Sequence, residues 1–347
     1  MLIICQRQKG NSYDHTYCFP SAAIFWLHYQ PAFFSIQNGN YLSANLPEIY
    51  DFCIDRKNME SVSMALGIGL PVSVMCPKDI DRRRNRWCKT VVRPGSIPEN
   101  SFALLGTMHG DQVIIASPEL CFLQVAQVFD FPRLVIFGTE LCGIYIYDSS
   151  AEYEQRSREP VTNVKKIRHF LEKARDCRGR RRALRALQYI LDRSNSRVET
   201  MLAVLSMLRM SDGGYRLRPP VMNFLIPFSK EGECLMDGHT CYGDLGWLQD
   251  KLILEYDSDI SHLSSSQHAK DKRRDSAIAV SGYRVIHVTK QDVSSRKKLD
   301  ELFTMLRKLL GMRNADKKLA EYEKKRTELI RIFHEFRCSD KNTFLKY

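Results

Sequence analysis

The sequence predicts an α/β protein with two territories and a helical tail. Three observations carry that prediction. At 347 residues, with 44% hydrophobic and 27% charged side chains, the chain has the make-up of a globular protein and the length for two domains. Residues 1–160 alternate short apolar runs with turn residues and helical patterns, as an N-terminal mixed α/β domain does. Residues 194–293 then read in the order helix, strand, strand, helix, strand. Between them, 161–193 reads as a basic helical connector, and 294–347 as a basic helical tail.

In the first territory "LPVSVMC" (70–76) and "QVIIA" (112–116) read as strands. "PELCFLQVAQVF" (118–129) reads as a helix, with Ser117 as N-cap and Pro118 at the first helical position, where its missing N–H costs nothing. "DRRRNRWCKTVVRP" (81–94) is basic with one tryptophan; a solvated basic strand or loop is favoured over a phosphate-contacting edge. This half shows no catalytic constellation.

The connector is the most basic part of the chain. Between Lys165 and Arg185 stand ten Lys or Arg against Glu172 and Asp176. Gly179 separates two helical pieces, and Arg180, Arg181 and Arg182 open the second as candidate phosphate contacts. A solvated helix face is the equal alternative. The net charge of +12 points to an acidic partner, with DNA as the expected one.

No apolar run has the length of a membrane span, and the N-terminal run is too short for a signal peptide. A cytoplasmic protein with no membrane partner is expected. The eleven cysteines fit that compartment as thiols set in apolar runs, such as Cys121 and Cys142. Cys234, His239 and Cys241 match no common zinc spacing, and coincidence is favoured there.

The third block carries the chemistry. "SNSRVETMLAVLSML" places Ser196 and Glu199 at capping-box spacing ahead of a buried face of Met201, Leu202, Leu205 and Leu208. "CYGDLGWLQDKLILEYD" reads as two strands about a turn at Gln249 and Asp250. A turn centred there sets Asp244 directly across from Glu255, with Cβ atoms roughly 5 Å apart. Asp257 falls two residues on, on the Glu255 face. A slip of one residue would undo the pairing. "SSSQHAKDKRRDSAIAVSG" follows as a helix closed by Gly282, and "YRVIHVT" (283–289) as a strand.

With Asp244, "EYDSDISH" (255–262), "DKRR" (271–274) and "GYRVIHVT" (282–289), the block resembles the restriction-endonuclease-like, PD-(D/E)XK superfamily. Within it the likeness is to domains similar to very-short-patch-repair endonucleases, over roughly a hundred residues. The resemblance implies an αβββαβ-type core and a Mg²⁺- (or Mn²⁺-) dependent phosphodiesterase acting on DNA, plausible in defence against foreign DNA. It also implies Glu199, Asp244 and Glu255 as metal ligands, oxygen donors of the kind Mg²⁺ takes. Asp244, Glu255, Asp257 and His262 are the implied catalytic set, His262 moving a proton. Arg274 would hold phosphate or pair with Asp271.

One departure stands out. The superfamily's lysine two residues after the glutamate is Asp257 here, a pattern its E-x-D subfamily tolerates; Lys270 or Lys272 on the next helix could supply the positive charge, and a weak or inactive enzyme is the equal alternative. His239, His268 and His287 stand outside the set and read as ordinary histidines.

"VIIASPELCFLQVAQVFDFPRLVIFGTELCGIY" (113–145) is similar to segments of abortive-infection AbiEi-type antitoxin proteins. That likeness supports a rival, a catalytically inactive DNA-binding regulator; a protein-interaction module is a weaker third. In the tail, Leu299, Leu302, Phe303, Leu306, Leu309 and Leu310 form one apolar stripe, and Leu319, Tyr322, Leu329, Phe333 and Phe336 a second. Packing on the endonuclease-like domain is favoured over a homodimer through these helices or contact with DNA.

Overall fold

The computed structural model describes residues 7–8, 12–13, 15–17, 21–28, 41–42, 56–67, 69–76, 84–92, 97–108, 111–147, 155–236, 238–257 and 265–335. It is a mixed α/β structure in two compact units, one running to Gln188 and the other spanning Tyr189–Glu335. Among the described residues no helix is long and apolar enough to cross a membrane.

The first unit holds strands β1 (Arg7–Gln8), β2 (Ser12–Tyr13), β3 (His15–Tyr17), β4 (Tyr41–Leu42), β5 (Val72–Cys76), β6 (Cys88–Val92), β7 (Phe102–Met108), β8 (Asp111–Ala116), β9 (Tyr145–Tyr147) and β10 (Gln155–Ser157). Its helices are α1 (Ser21–His28), α2 (Arg56–Leu66), α3 (Pro118–Val125), α4 (Phe131–Leu141), α5 (Val164–Lys173) and α6 (Arg180–Ala186). Among the described residues, six strands form one mixed sheet in the order β4–β7–β8–β3–β5–β6.

Helix α3 starts as its sequence dictates: the Ser117 hydroxyl accepts the Leu120 N–H at 3.2 Å and Pro118 follows. Every residue of α3 is buried. It stops at Val125, short of the expected Phe129, because Asp130 and Pro132 open α4; the Asp130 carboxylate accepts the Arg133 N–H at 2.9 Å. In the basic 81–94 stretch the Asn85 side chain accepts the N–H groups of Trp87 and Cys88, and the guanidinium groups of Arg56 and Arg86 lie over the Trp87 ring.

The segment expected as a connector is largely helical and lies mostly in this first unit. Asn163 caps α5, which turns Ile167, Phe170 and Leu171 inward. Gly179, at φ +89°, parts α5 from α6, and a Cβ there would stand 2.8 Å from the Gln127 side chain.

The second unit runs α7 (Arg197–Met207), β11 (Val221–Pro227), α8 (Lys230–Glu233), β12 (Thr240–Trp247), β13 (Leu252–Asp257), α9 (Ser265–Val280) and β14 (Arg284–Thr289). Helices α10 (Lys290–Ser294), α11 (Arg296–Leu309), α12 (Asp316–Glu321) and α13 (Glu323–Glu335) complete it. The four strands pair in sequence order, β11–β12 and β12–β13 antiparallel and β13–β14 parallel. The parallel step is the one that needs a crossover, and α9 supplies it.

Helix α9 packs Ala277 and Ile278 onto Phe224, Ile226, Phe228 and Ile253 of the sheet side, forming a core below the candidate site. Gly246 belongs to this packing, since a Cβ there would meet the Phe224 ring at 2.2 Å.

The tail's apolar stripe is spent inside the second unit. Leu299, Leu302, Phe303, Leu306, Leu310, Leu319, Leu329 and Phe333 are buried, and Phe303 stacks on Tyr215 at 4.1 Å. Leu309 is half-buried, and Phe336 lies outside the described residues. Two of the tail's basic residues are internal. Arg326 binds Asp300 at 2.6 Å and the Leu319 carbonyl at 2.8 Å, and Arg307 donates to the Tyr215 carbonyl. The second helical piece is broken at Tyr322 into α12 and α13 rather than running continuously.

Candidate carboxylate site

Three elements bring carboxylates together. Helix α7 delivers Glu199 from its first turn. The Ser196 hydroxyl accepts the Glu199 N–H at 3.0 Å, and the Glu199 carboxylate accepts the Asn195 N–H at 3.0 Å. The same carboxylate oxygen accepts the Asn223 side-chain N–H at 3.1 Å, tying the helix start to β11. Glu199 is thus both a cap and a member of the cluster.

Strands β12 and β13 deliver the others. The turn at Leu248–Asp250, closed by Lys251 at φ +48°, is centred where the sequence places it. The ladder therefore pairs Leu245 with Leu254, Gly246 with Ile253 and Trp247 with Leu252. The ladder ends at Leu245–Leu254, one step before Asp244 and Glu255. The Asp244 carboxylate takes over there, accepting the Tyr256 N–H at 2.8 Å. Glu255, two residues on from Ile253, shares its face of β13 and so faces α9, where it meets Arg274 at 3.0 Å.

Burial governs the electrostatics. It pushes Glu199 up to about 8, and the Asp244 charge adds to the rise. Burial, then Asp244, pushes Glu255 up to about 7, against the pull of Arg274 and His287. Asp244 is raised as well, by burial first, while the Tyr256 N–H and Arg274 oppose the rise. Glu199 and Glu255 are 4% and 6% exposed, and the Arg274 guanidinium of α9 stands against Glu255.

Other expected residues fall as follows. Asp257 stands at the end of β13, half-exposed, with its carboxylate 3.0 Å from His287 Nδ1. Lys270 and Lys272 are exposed on α9. Arg274 is committed inward to Glu255 and the Tyr242 carbonyl instead of standing ready for phosphate. His262 lies outside the described residues. Arg180, Arg181 and Arg182 line a concavity of the first unit with Arg175 and Arg178, but Arg180 Nε is spent on the Leu171 carbonyl at 2.6 Å. His239 Nδ1 lies 2.8 Å from Glu233.

Two residues that the sequence left out belong here. His287 stands level with Glu255 in the parallel β13–β14 ladder, and its Nε2 lies 3.2 Å from Asp275 of α9. Its Nδ1 lies 3.0 Å from Asp257, so the ring touches one residue of the expected set. The alternation of "YRVIHVT" put His287 on one strand face, but the register came from how α9 packs.

The chain matches no protein-family model, no curated protein and no solved structure.

The donor chemistry fits a hard cation. Glu199, Asp244 and Glu255 offer carboxylate oxygens only; burial is the first cause of their raised proton affinities, and the Asp244 charge adds to the rise at Glu199 and Glu255. Arg274 offsets part of the rise at Glu255. Among the described residues no group of three or more His, Cys, Asp or Glu is placed so that it could hold a metal ion, so the carboxylates would have to move together to take one. A cation would share Glu255 with Arg274 or displace it.

Proposed function

We propose that the second unit is a Mg²⁺- or Mn²⁺-dependent phosphodiesterase acting on DNA. The observation that supports the reading is that one helix and two strands bury Glu199, Asp244 and Glu255 near enough for the Asp244 charge to act on both glutamates. Such a cluster costs stability, and a metal-binding role gives a reason to keep it. Glu199, Asp244 and Glu255 would hold the ion. When bound, it supplies Lewis-acid activation of water and charge for a phosphoryl oxygen.

The chain's own residues do the rest. In hydrolysis the water oxygen bonds to phosphorus and the ester P–O bond breaks. Asp257, half-exposed beside the cluster, takes the water's proton. The leaving oxygen gains a proton from solvent or from His262. The exposed Lys270, Lys272 and Arg273 of α9 and the net charge of +12 suit a polyanionic substrate. A role in defence against foreign DNA fits such an activity.

A second reading, a catalytically inactive DNA-binding regulator, draws support from the Arg274–Glu255 pair, which gives the cluster counter-charge without a metal. The deciding experiment is a cleavage assay on supercoiled, linear and single-stranded DNA with Mg²⁺ or Mn²⁺ against EDTA. Metal-dependent cleavage supports the first reading. DNA binding without cleavage under all these conditions supports the second.

A further inference from the structure

The His287 ring is gripped at both nitrogens. Its Nδ1 lies 3.0 Å from Asp257 at the end of β13, and its Nε2 lies 3.2 Å from Asp275 on α9. The three side chains are 37–39% exposed, whereas the Glu255 side chain just behind them is 9% exposed. This carboxylate–imidazole–carboxylate chain therefore runs along the rim of the buried cluster, where water and a substrate can reach it. At such exposure ion pairs stabilise a fold little, so support of the core does not explain the arrangement. What the arrangement does is fix one carboxylate. An aspartate ending a strand has free rotation toward solvent. Asp257 is instead held to β14, and through His287 to α9, with its charge felt at Asp244.

We propose that His287, anchored by Asp275, is a positioning residue that holds the Asp257 carboxylate at the rim of the cluster, ready to take the proton of the attacking water. The proposal rests on the phosphodiesterase reading. A proton acceptor works when it is held within a fraction of an ångström of its reacting geometry, and groups that orient such an acceptor matter through it alone. Nothing is consumed beyond water: its oxygen joins phosphorus, its proton passes to Asp257, the ester P–O bond breaks, and the leaving oxygen is protonated by solvent.

The test is a double-mutant cycle on the full chain, read by Mn²⁺-dependent cleavage of plasmid DNA and by calorimetric titration with Mn²⁺ alone. His287→Ala should lower kcat about 10- to 100-fold with KM within about twofold, leaving Mn²⁺ affinity unchanged. Asp275→Asn should act in the same direction and more weakly. It also carries the test if His287→Ala lacks a cooperative melt. Asp257→Asn combined with His287→Ala should be no slower than Asp257→Asn alone, because His287 acts through Asp257. A structural role would instead make the losses multiply, and that outcome overturns the proposal, as does full activity in both His287→Ala and Asp275→Asn. If the unsubstituted protein cleaves no DNA, the phosphodiesterase reading has failed and this proposal falls with it. Cleavage with multiplying losses removes the proposal alone.

Discussion

Arg274 and Glu255 form a semi-buried ion pair, Nη2 to Oε1 at 3.0 Å, inside a carboxylate cluster that otherwise resists ionisation. The guanidinium also reaches the Tyr242 carbonyl, so it ties α9 to two strands at once. Removing one partner of such a pair leaves the other without its counter-charge. Glu255 can relieve that by taking a proton, and Arg274 keeps some exposure, so the cost is smaller than for a fully buried pair.

Arg274→Gln should therefore lower stability in EDTA by about 1 to 3 kcal/mol at neutral pH. It should also raise Mn²⁺ affinity, since a competing cation has left the cluster. Urea unfolding and calorimetric titration measure the two effects. Loss of stability together with weaker Mn²⁺ binding would mean that Arg274 organises the ion site instead of competing for it.

Asp244→Asn and Glu255→Gln should each cut metal-dependent cleavage at least about 100-fold, because each removes a ligand charge at nearly constant shape. Isosteric changes are the informative ones. Alanine at 244 would leave the Tyr256 N–H without the acceptor it meets at 2.8 Å. Glu255→Gln keeps the shape beside Arg274 but removes its counter-charge, so its melt is compared with the unsubstituted protein before activity is read. Undiminished cleavage by either variant sinks the ligand assignment.

How much of this was legible beforehand depends on the range of the interaction. The Ser117, Ser196 and Gly179 signals were local and read correctly, because a cap or a positive φ is decided within a few residues. The β12–β13 register was legible for the same reason, since a short turn sets a hairpin register. The His287–Asp257 contact was not. A parallel register across a sixteen-residue helix is fixed by how α9 packs on Phe224, Ile226 and Ile253, and no spacing in the sequence encodes that. The Arg274–Glu255 pair was not legible for a similar reason, since which neighbour α9 turns Arg274 toward is decided by its packing.

The arginines of α6 divide in a testable way. Arg180 donates to the Leu171 carbonyl at 2.6 Å, whereas Arg181 is exposed and Arg182 half-exposed. If they meet DNA, Arg181→Ala with Arg182→Ala should weaken binding and flatten the log–log salt dependence by about two charges' worth of slope. Arg180→Ala should instead cost about 1 kcal/mol of stability. Equal salt slopes for the double variant and the unsubstituted protein would return this run to a solvated face.

The raised carboxyls make a stability prediction whose sign is fixed. Glu199 moves from an ordinary 4.5 to about 8 on folding, and Glu255 from 4.5 to about 7. Between the unfolded and folded values the native state holds more protons than the unfolded chain. The contribution is therefore fully present below about pH 4.5 and is lost as pH rises through about 7 and then about 8. In EDTA the melting temperature should accordingly fall on going from pH 5 to pH 8.5. Glu199→Gln, which mimics the protonated form, should flatten most of that fall. Added Mg²⁺ should stabilise the unsubstituted protein more at pH 8.5 than at pH 5, since the ion binds the ionised cluster and competes with its protons. Calorimetric melts across this range, with and without Mg²⁺, read all three effects. A melting temperature that rises from pH 5 to pH 8.5 in EDTA, equally in both proteins, would show that these carboxylates are ionised in the folded chain and that the buried cluster is not what the geometry makes it.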